Sequence, residues 1–94
     1  MFELRTGDPG HVFLIGRLDA AEADRAEPAF RKIPQSVTVD CSALDYISSA
    51  GIGVLIELSK RLEAAGHTVT FVRMLPRVRQ IFAYAGLDRV LRIE

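Results

Sequence analysis

Apolar and polar positions alternate in short runs along this chain, with turn residues between the runs. Phe2-Glu3-Leu4-Arg5 has the two-residue period of a half-buried strand. Gly7-Asp8-Pro9-Gly10 supplies a turn, and Val12-Phe13-Leu14-Ile15 reads as a continuous apolar strand stopped at Gly16. Together they predict a hairpin. Asp19 opens a helix, since its carboxylate can cap free N–H groups and Glu22 sits three residues on, at capping-box spacing. The Ala and Glu content of residues 20–27 suits that helix. Pro28 does not, because it removes a donor and crowds the preceding turn. It predicts a kink or a break, with the segment ending near Lys32 and closed by Pro34.

Val37-Thr38-Val39-Asp40-Cys41 alternates as a strand, with Val37, Val39 and Cys41 on one face. Residues 42–47 read as a loop. The clearest helix follows Ser48-Ser49-Ala50-Gly51, where Leu55, Leu58, Leu62 and Ala65 form one apolar stripe. Glu57, Lys60, Arg61 and Glu63 take its other side, and Gly66 stops it. Thr68-Val69-Thr70-Phe71-Val72 is the next strand. Pro76 begins a third helix with Val78, Ile81, Phe82 and Ala85 inward, and Gly86 ends it. Val90-Leu91-Arg92-Ile93 makes a short last strand. The order β-β-α-β-α-β-α-β predicts a single small α/β domain over residues 1–94, a mixed four- to five-stranded sheet with helices packed on it.

Composition narrows the function more than the fold. Twelve Lys plus Arg balance twelve Asp plus Glu, so the basic excess of a nucleic-acid or membrane-surface binder is missing. Hydrophobic residues are 49% and charged residues 26%, the balance of an ordinary globular domain. A chain of this size buries roughly 60–65% of its unfolded surface, enough for a modest core. The charge is graded: residues 1–48 carry 5 basic and 8 acidic groups, residues 49–94 carry 7 and 4. That gradient fits either a balanced surface or a polarised docking face. One cysteine, no leader-like start and no apolar run of spanning length predict a protein of the reducing cytoplasm.

Catalytic chemistry is thin. His11 and His67 have no second ligand-type residue at metal spacing, so both read as strand-end or solvated histidines and no metal is expected. Gly51-Ile52-Gly53 lacks the third glycine and the preceding strand of a dinucleotide loop, so no cofactor is expected either. Cys41 lies within an apolar strand and reads as an inert buried thiol. The remaining candidate is Ser48-Ser49-Ala50-Gly51. Serine is a favoured helix cap, which by itself accounts for the segment. The same position exposes unpaired N–H groups that would tolerate a phosphate.

The stretch Val39-Asp40-Cys41-Ser42-Ala43-Leu44-Asp45-Tyr46-Ile47-Ser48-Ser49-Ala50-Gly51-Ile52-Gly53-Val54-Leu55 resembles the signature of the STAS domain family, named for sulphate transporters and anti-sigma factor antagonists. Gly16-Arg17-Leu18-Asp19 matches the family's Gly-x-Leu-Asp, and Arg79 to Leu87 resembles its last helix and the Gly-Leu that follows. The resemblance covers nearly the whole chain. It implies a non-enzymatic anti-sigma factor antagonist that docks on an anti-sigma factor serine kinase with a histidine-kinase-like ATPase fold. In such antagonists the serine after the motif Asp is phosphorylated and the phosphorylated form does not bind; that position is Ser49. Here Ser48 replaces the usual Asp and Ala50 a frequent Ser, which leaves Ser48 as a second candidate phosphoacceptor. The contact surface expected comprises Ser48, Ser49, Ala50, Gly51, Ile52, Gly53 and Ile56. Other family roles imply two alternatives: a soluble subunit of a lipid or anion transport system, and a stressosome-like scaffold component.

Overall fold

A computed structural model describes residues 1–94. Strand β1 (Phe2–Thr6) pairs antiparallel with β2 (His11–Leu18) across the turn at residues 7–10. Helix α1 (Ala20–Arg31), strand β3 (Val37–Ile47), helix α2 (Ser49–Ala64), strand β4 (Val69–Val72), helix α3 (Pro76–Tyr84), a 3₁₀ turn at Leu87–Arg89 and strand β5 (Arg92–Ile93) follow. The sheet order is β1-β2-β3-β4-β5, and every pair after the first is parallel. Each helix therefore crosses over between neighbouring strands, always in the same direction. Right-handed crossovers that advance in one direction put all the helices on one face. Burial follows this rule. Val12, Leu14, Leu18, Val39, Leu44, Val69 and Phe71 share a single core cluster with Phe30, Leu55, Leu58, Leu62, Val78 and Phe82. The opposite face, with Glu3, Arg5, Phe13, Ile15, Arg17, Ala43 and Tyr46, carries no helix.

The element order matches the sequence expectation, but several local readings are corrected. Strand β2 does not stop at Gly16; it runs on to Leu18, because Gly16 takes φ 97° where a Cβ would meet the Met1 carbonyl at 2.3 Å. Pro28 does not break the helix, since α1 is continuous through it. The carbonyl that loses its partner belongs to exposed Asp24, where water can satisfy it. Asp19 Oδ1 caps the Glu22 amide at 3.0 Å, but Glu22 completes no box and turns toward Arg25 at 3.8 Å.

Residues 42–47 are strand, not loop. Two register shifts give β3 an extra residue against β2, once between Phe13 and Ile15 and once between Gly16 and Arg17. The inward positions past the first shift are Cys41, Leu44 and Ile47, three residues apart, so the period-two signal of a strand is erased. In α2 the buried stripe is Leu55, Leu58, Ser59 and Leu62, and Ala65 is exposed. In α3 Val78 and Phe82 are buried, Ile81 is half-buried and Ala85 is exposed. Val90 is 62% exposed and precedes a strand of two residues only, because the 3₁₀ turn uses up the chain before it. Arg61, on the side of α2 away from the apolar stripe as expected, reaches across to α1 and donates to the carbonyls of Phe30 and Ile33 at 3.1 and 3.0 Å. At the C-terminal end of α1 this adds a second donor to the Phe30 carbonyl, which also accepts from the Ile33 amide at 3.2 Å, and one to the Ile33 carbonyl just beyond the helix. No helix is long and apolar enough to cross a membrane.

Candidate functional site: the start of helix α2

The two adjacent serines have opposite roles. Ser48 is extended (φ −93°, ψ 172°) and serves as the cap of α2. Its Oγ accepts from the Gly51 amide at 3.1 Å and donates to the Leu18 carbonyl at 3.2 Å. Its own amide donates to the same Leu18 oxygen at 3.0 Å. The hydroxyl is thus used in both directions and is half-buried. Ser49 is the first helical residue, it is exposed, and its hydroxyl makes no hydrogen bond. The sequence left the two open, and local hydrogen bonding separates them.

Gly51 explains how the helix start is seated. It is buried, and an added Cβ would lie 2.7 Å from the Leu18 carbonyl oxygen and 2.8 Å from Ile47 Cγ1. The glycine lets the first turn of α2 press directly onto the ends of β2 and β3. Gly51 therefore cannot be a surface contact, contrary to the expectation from the motif. Ala50 and Gly53 are exposed, and Gly53 has open space around its Cα. Ile52 and Ile56 are half-buried against the core edge. Ala50 and Gly53 also border a groove of about 250 Å³ between α1 and α2, floored by Phe30 and Leu58 and rimmed by Glu57 and Arg61.

The electrostatics of this corner suit an incoming anion. The first turn of α2 holds no acidic residue. The amides of Ser49 and Ala50 have no partner four residues back, and the positive end of the helix dipole lies on them. Asp45 and Tyr46, near the end of β3, are held from other elements. Arg77 of α3 donates Nε to the Asp45 carbonyl at 3.3 Å and places Nη2 3.4 Å from its carboxylate. The Arg17 guanidinium lies 4.4 Å above the Tyr46 ring.

The other sequence candidates stay apart from this corner. His11 is exposed at the start of β2, and His67 is half-buried after α2. No group of three or more His, Cys, Asp or Glu comes together. Cys41 is fully buried, and its thiol is pushed up to about 12 by burial and by the neighbouring Asp40 charge. Asp40 was not singled out by its sequence, yet it is only 6% exposed. Burial pushes its carboxyl up, but hydrogen bonding from Ser42 and the charges of Arg73 and His11 outweigh burial and hold it below its ordinary value. Its Oδ1 accepts from the Ser42 amide at 2.9 Å, and Arg73 Nη1 lies 3.7 Å from Oδ2.

This one-sided α/β sheet, with a serine start to its central helix, defines a small single-domain fold that known proteins share. A family model described as "Mlab, STAS domain" matches residues 1–93, and the chain belongs to the STAS domain family. A Bordetella bronchiseptica protein provisionally designated the anti-sigma factor antagonist BtrV is 33% identical over 67 residues, 71% of this chain and 52% of that protein. The match thus spans about half the length of that relative. The crystal structure of an anti-sigma factor antagonist from Mycobacterium paratuberculosis superposes with a TM-score of 0.82 at 21% identity, covering 99% of this chain and 83% of that one. The phosphorylated form of the Bacillus cell fate determinant SpoIIAA superposes with a TM-score of 0.71 at 18% identity, covering 100% and 91%.

Proposed function

We propose that this chain is an anti-sigma factor antagonist: a non-enzymatic binding module of the cytoplasm that docks on an anti-sigma factor and is released by phosphorylation of Ser49. The partner is a serine kinase with a histidine-kinase-like ATPase fold. The observation that carries the reading is the exposed, unengaged Ser49 hydroxyl beside a Ser48 hydroxyl held in two hydrogen bonds. A kinase needs a side chain it can draw into its own active site. Ser49 meets that need, and Ser48 would have to give up the helix cap. The names of the BtrV relative and of the Mycobacterium paratuberculosis structure support the same assignment.

The contact surface consists of Ser49, Ala50 and Gly53, flanked by Ile52 and Ile56. Gly51 and Ser48 support it from beneath. A rigid patch of about 800 Å² per partner makes a standard interface. Phosphate on Ser49 adds a charge of about −1.5 to −2 and three acceptor oxygens. Locally these meet unpaired amides and the positive end of a helix, so the fold is kept. Against a partner they place an extra hydrated dianion in a surface that must be desolvated, which opposes binding.

The test is to capture partners on the immobilised wild-type chain, purify the ATPase recovered, and incubate it with ATP and the wild-type, Ser48→Ala and Ser49→Ala proteins. Phosphate located by mass spectrometry is expected on wild type and on Ser48→Ala, and absent from Ser49→Ala. Phosphate persisting on Ser49→Ala would move the acceptor to Ser48. Recovery of a transport ATPase instead would assign the chain as a subunit of a transport system.

A further inference from the structure

A sheet that is parallel over four of its strands is ordinarily covered on both faces. In this protein only the face with the helices is covered. The other face ends, beside the Ser49 corner, in an arginine stacked on a tyrosine. Arg17 of β2 and Tyr46 of β3 are direct partners in the parallel register. The next partners, Leu18 and Ile47, are the residues that seat Gly51 and Ser48. The Arg17–Tyr46 pair is therefore one residue removed, on two adjacent strands, from the machinery that fixes the start of α2.

The second register shift of β3, between Gly16 and Arg17, turns Tyr46 onto the uncovered face. Arg77 braces that irregular segment through both the carbonyl and the carboxylate of Asp45. Tyr46 remains 36% exposed, and the guanidinium sits 4.4 Å above its ring. Two other cations on this side are matched, Arg5 with Glu3 at 3.0 Å and Arg73 with Asp40 at 3.7 Å, while Arg92, the register partner of Thr70 two strands away from the pair, is exposed and unpaired. Arg17 has no carboxylate within ion-pair distance. Ile15, half-buried, and Ala43, exposed, are register partners on the same face and provide an apolar floor next to the pair.

We infer that Arg17 and Tyr46 form a second contact for the partner that docks at Ser49, receiving a carboxylate side chain on the guanidinium and an apolar side chain on Ile15 and Ala43. This inference rests on the Ser49 reading for its partner but not for its geometry. The ring contact restrains the guanidinium, so less of its freedom is lost when it meets a carboxylate. Arginine and tyrosine are also the side chains that carry a large share of binding energy at interface centres. The partner thus straddles the C-terminal edge of the sheet, with the Ser49 corner on one side and Arg17–Tyr46 on the other. The unmatched cation selects a partner with an acidic side chain at that position.

The experiment measures binding of the purified ATPase, recovered on the wild-type chain, to wild type, Arg17→Glu, Arg17→Lys, Tyr46→Ala, Tyr46→Phe and Ser49→Asp. Circular dichroism checks that each variant is folded. Arg17→Glu is expected to weaken binding about tenfold or more and Tyr46→Ala to weaken it clearly, whereas Tyr46→Phe binds like wild type. Arg17→Lys keeps the charge but loses the fork and falls between. Wild-type affinity for Arg17→Glu, in a complex that Ser49→Asp weakens, overturns the second contact and leaves the Ser49 reading standing. Weakening by Arg17→Glu in a complex indifferent to Ser49→Asp does the reverse. Failure of the wild-type chain to form any complex with an ATPase overturns both.

Discussion

One carbonyl oxygen, that of Leu18, accepts from both the amide and the hydroxyl of Ser48, at 3.0 and 3.2 Å. The last turn of hydrogen bonding in β2 is thereby joined to the first turn of α2, across 30 residues of sequence. Ser48 is consequently a structural residue, and its neighbour is free.

The first prediction follows from that division. Ser48→Ala loses the cap on Gly51 and the bond to Leu18, and is expected to cost about 1 kcal/mol, within the 0.5–2 kcal/mol span of such caps. Ser49→Ala removes an exposed, unbonded hydroxyl and should stay within about 0.5 kcal/mol of wild type. Urea unfolding of both variants checks the pair. Equal losses would mean that the two hydroxyls share the cap.

Two glycines in the same helix should respond with opposite signs. Gly51→Ala drives a methyl to 2.7 Å from the Leu18 carbonyl and 2.8 Å from Ile47, backbone and packed core that cannot swing aside. It should destabilise by about 1–3 kcal/mol although alanine is the better helix former. Gly53→Ala meets nothing within 4 Å and should stabilise by about 0.5–1 kcal/mol. Thermal melts of both variants decide the point, and a stabilised Gly51→Ala would contradict the close seating of the helix.

Cys41 should be inert until the chain unfolds. Its thiol is fully buried and pushed up to about 12. At about pH 8 almost no thiolate is present in the folded protein, and reagent has no path to it. Labelling with an aromatic disulfide should be slow in buffer and rapid in concentrated denaturant. Fast labelling of the folded chain would place the thiol outside the core.

Helix α2 contains both an essential and a surplus buried group. Leu58 is 2% exposed, and Leu58→Ala should cost about 2–5 kcal/mol. Ser59 is 3% exposed, and its hydroxyl has no hydrogen-bond partner. An unpaired buried hydroxyl costs about 1–3 kcal/mol, so Ser59→Ala should raise stability by about 1 kcal/mol. A Ser59→Ala protein less stable than wild type in urea would mean that the hydroxyl has a partner in solution.

Asp40 should contribute to acid sensitivity. Its carboxyl is held below the ordinary value of 3.8, burial being outweighed by Ser42, Arg73 and His11. In that range the unfolded chain binds more protons than the folded one, so stability rises with pH. The contribution is complete above the unfolded value and disappears as pH falls through the lower folded value. Asp40→Asn should therefore lose stability near neutral pH and show a shallower acid limb in denaturant midpoints. An unchanged limb would remove Asp40 from the account.

The order of strands and helices was legible because each long element keeps its own period. Leu55, Leu58 and Leu62 mark one face of a helix, and Val37, Val39 and Cys41 one face of a strand. Ser49 was singled out through the resemblance of residues 39–55 to a family signature, not through chemistry, because a serine at a helix start has the same local pattern whether it caps or is free. The end of β3 was illegible for a definite reason. Its inward residues Cys41, Leu44 and Ile47 are spaced by bulges that exist only against β2. The break allowed for at Pro28 does not occur, because the tolerance of a missing bond depends on whether water reaches the freed carbonyl, and sequence does not state exposure.

By itself, the sequence determined the order of strands and helices; the face on which the helices lie follows from the right-handed rule only once the strand order of the sheet is known. Periodicity and turn chemistry are local, and handedness is a property of every L-peptide chain. The tertiary structure alone decided which serine is the cap, why Gly51 is inside, and that Arg17 meets Tyr46. Each of these is a contact between segments far apart in the chain. A carbonyl of β2 selects Ser48, the ends of β2 and β3 leave no room for a Cβ at Gly51, and a register shift between the same strands aims Tyr46 at Arg17. Such distances are set only when the strands pair and the helix settles on them.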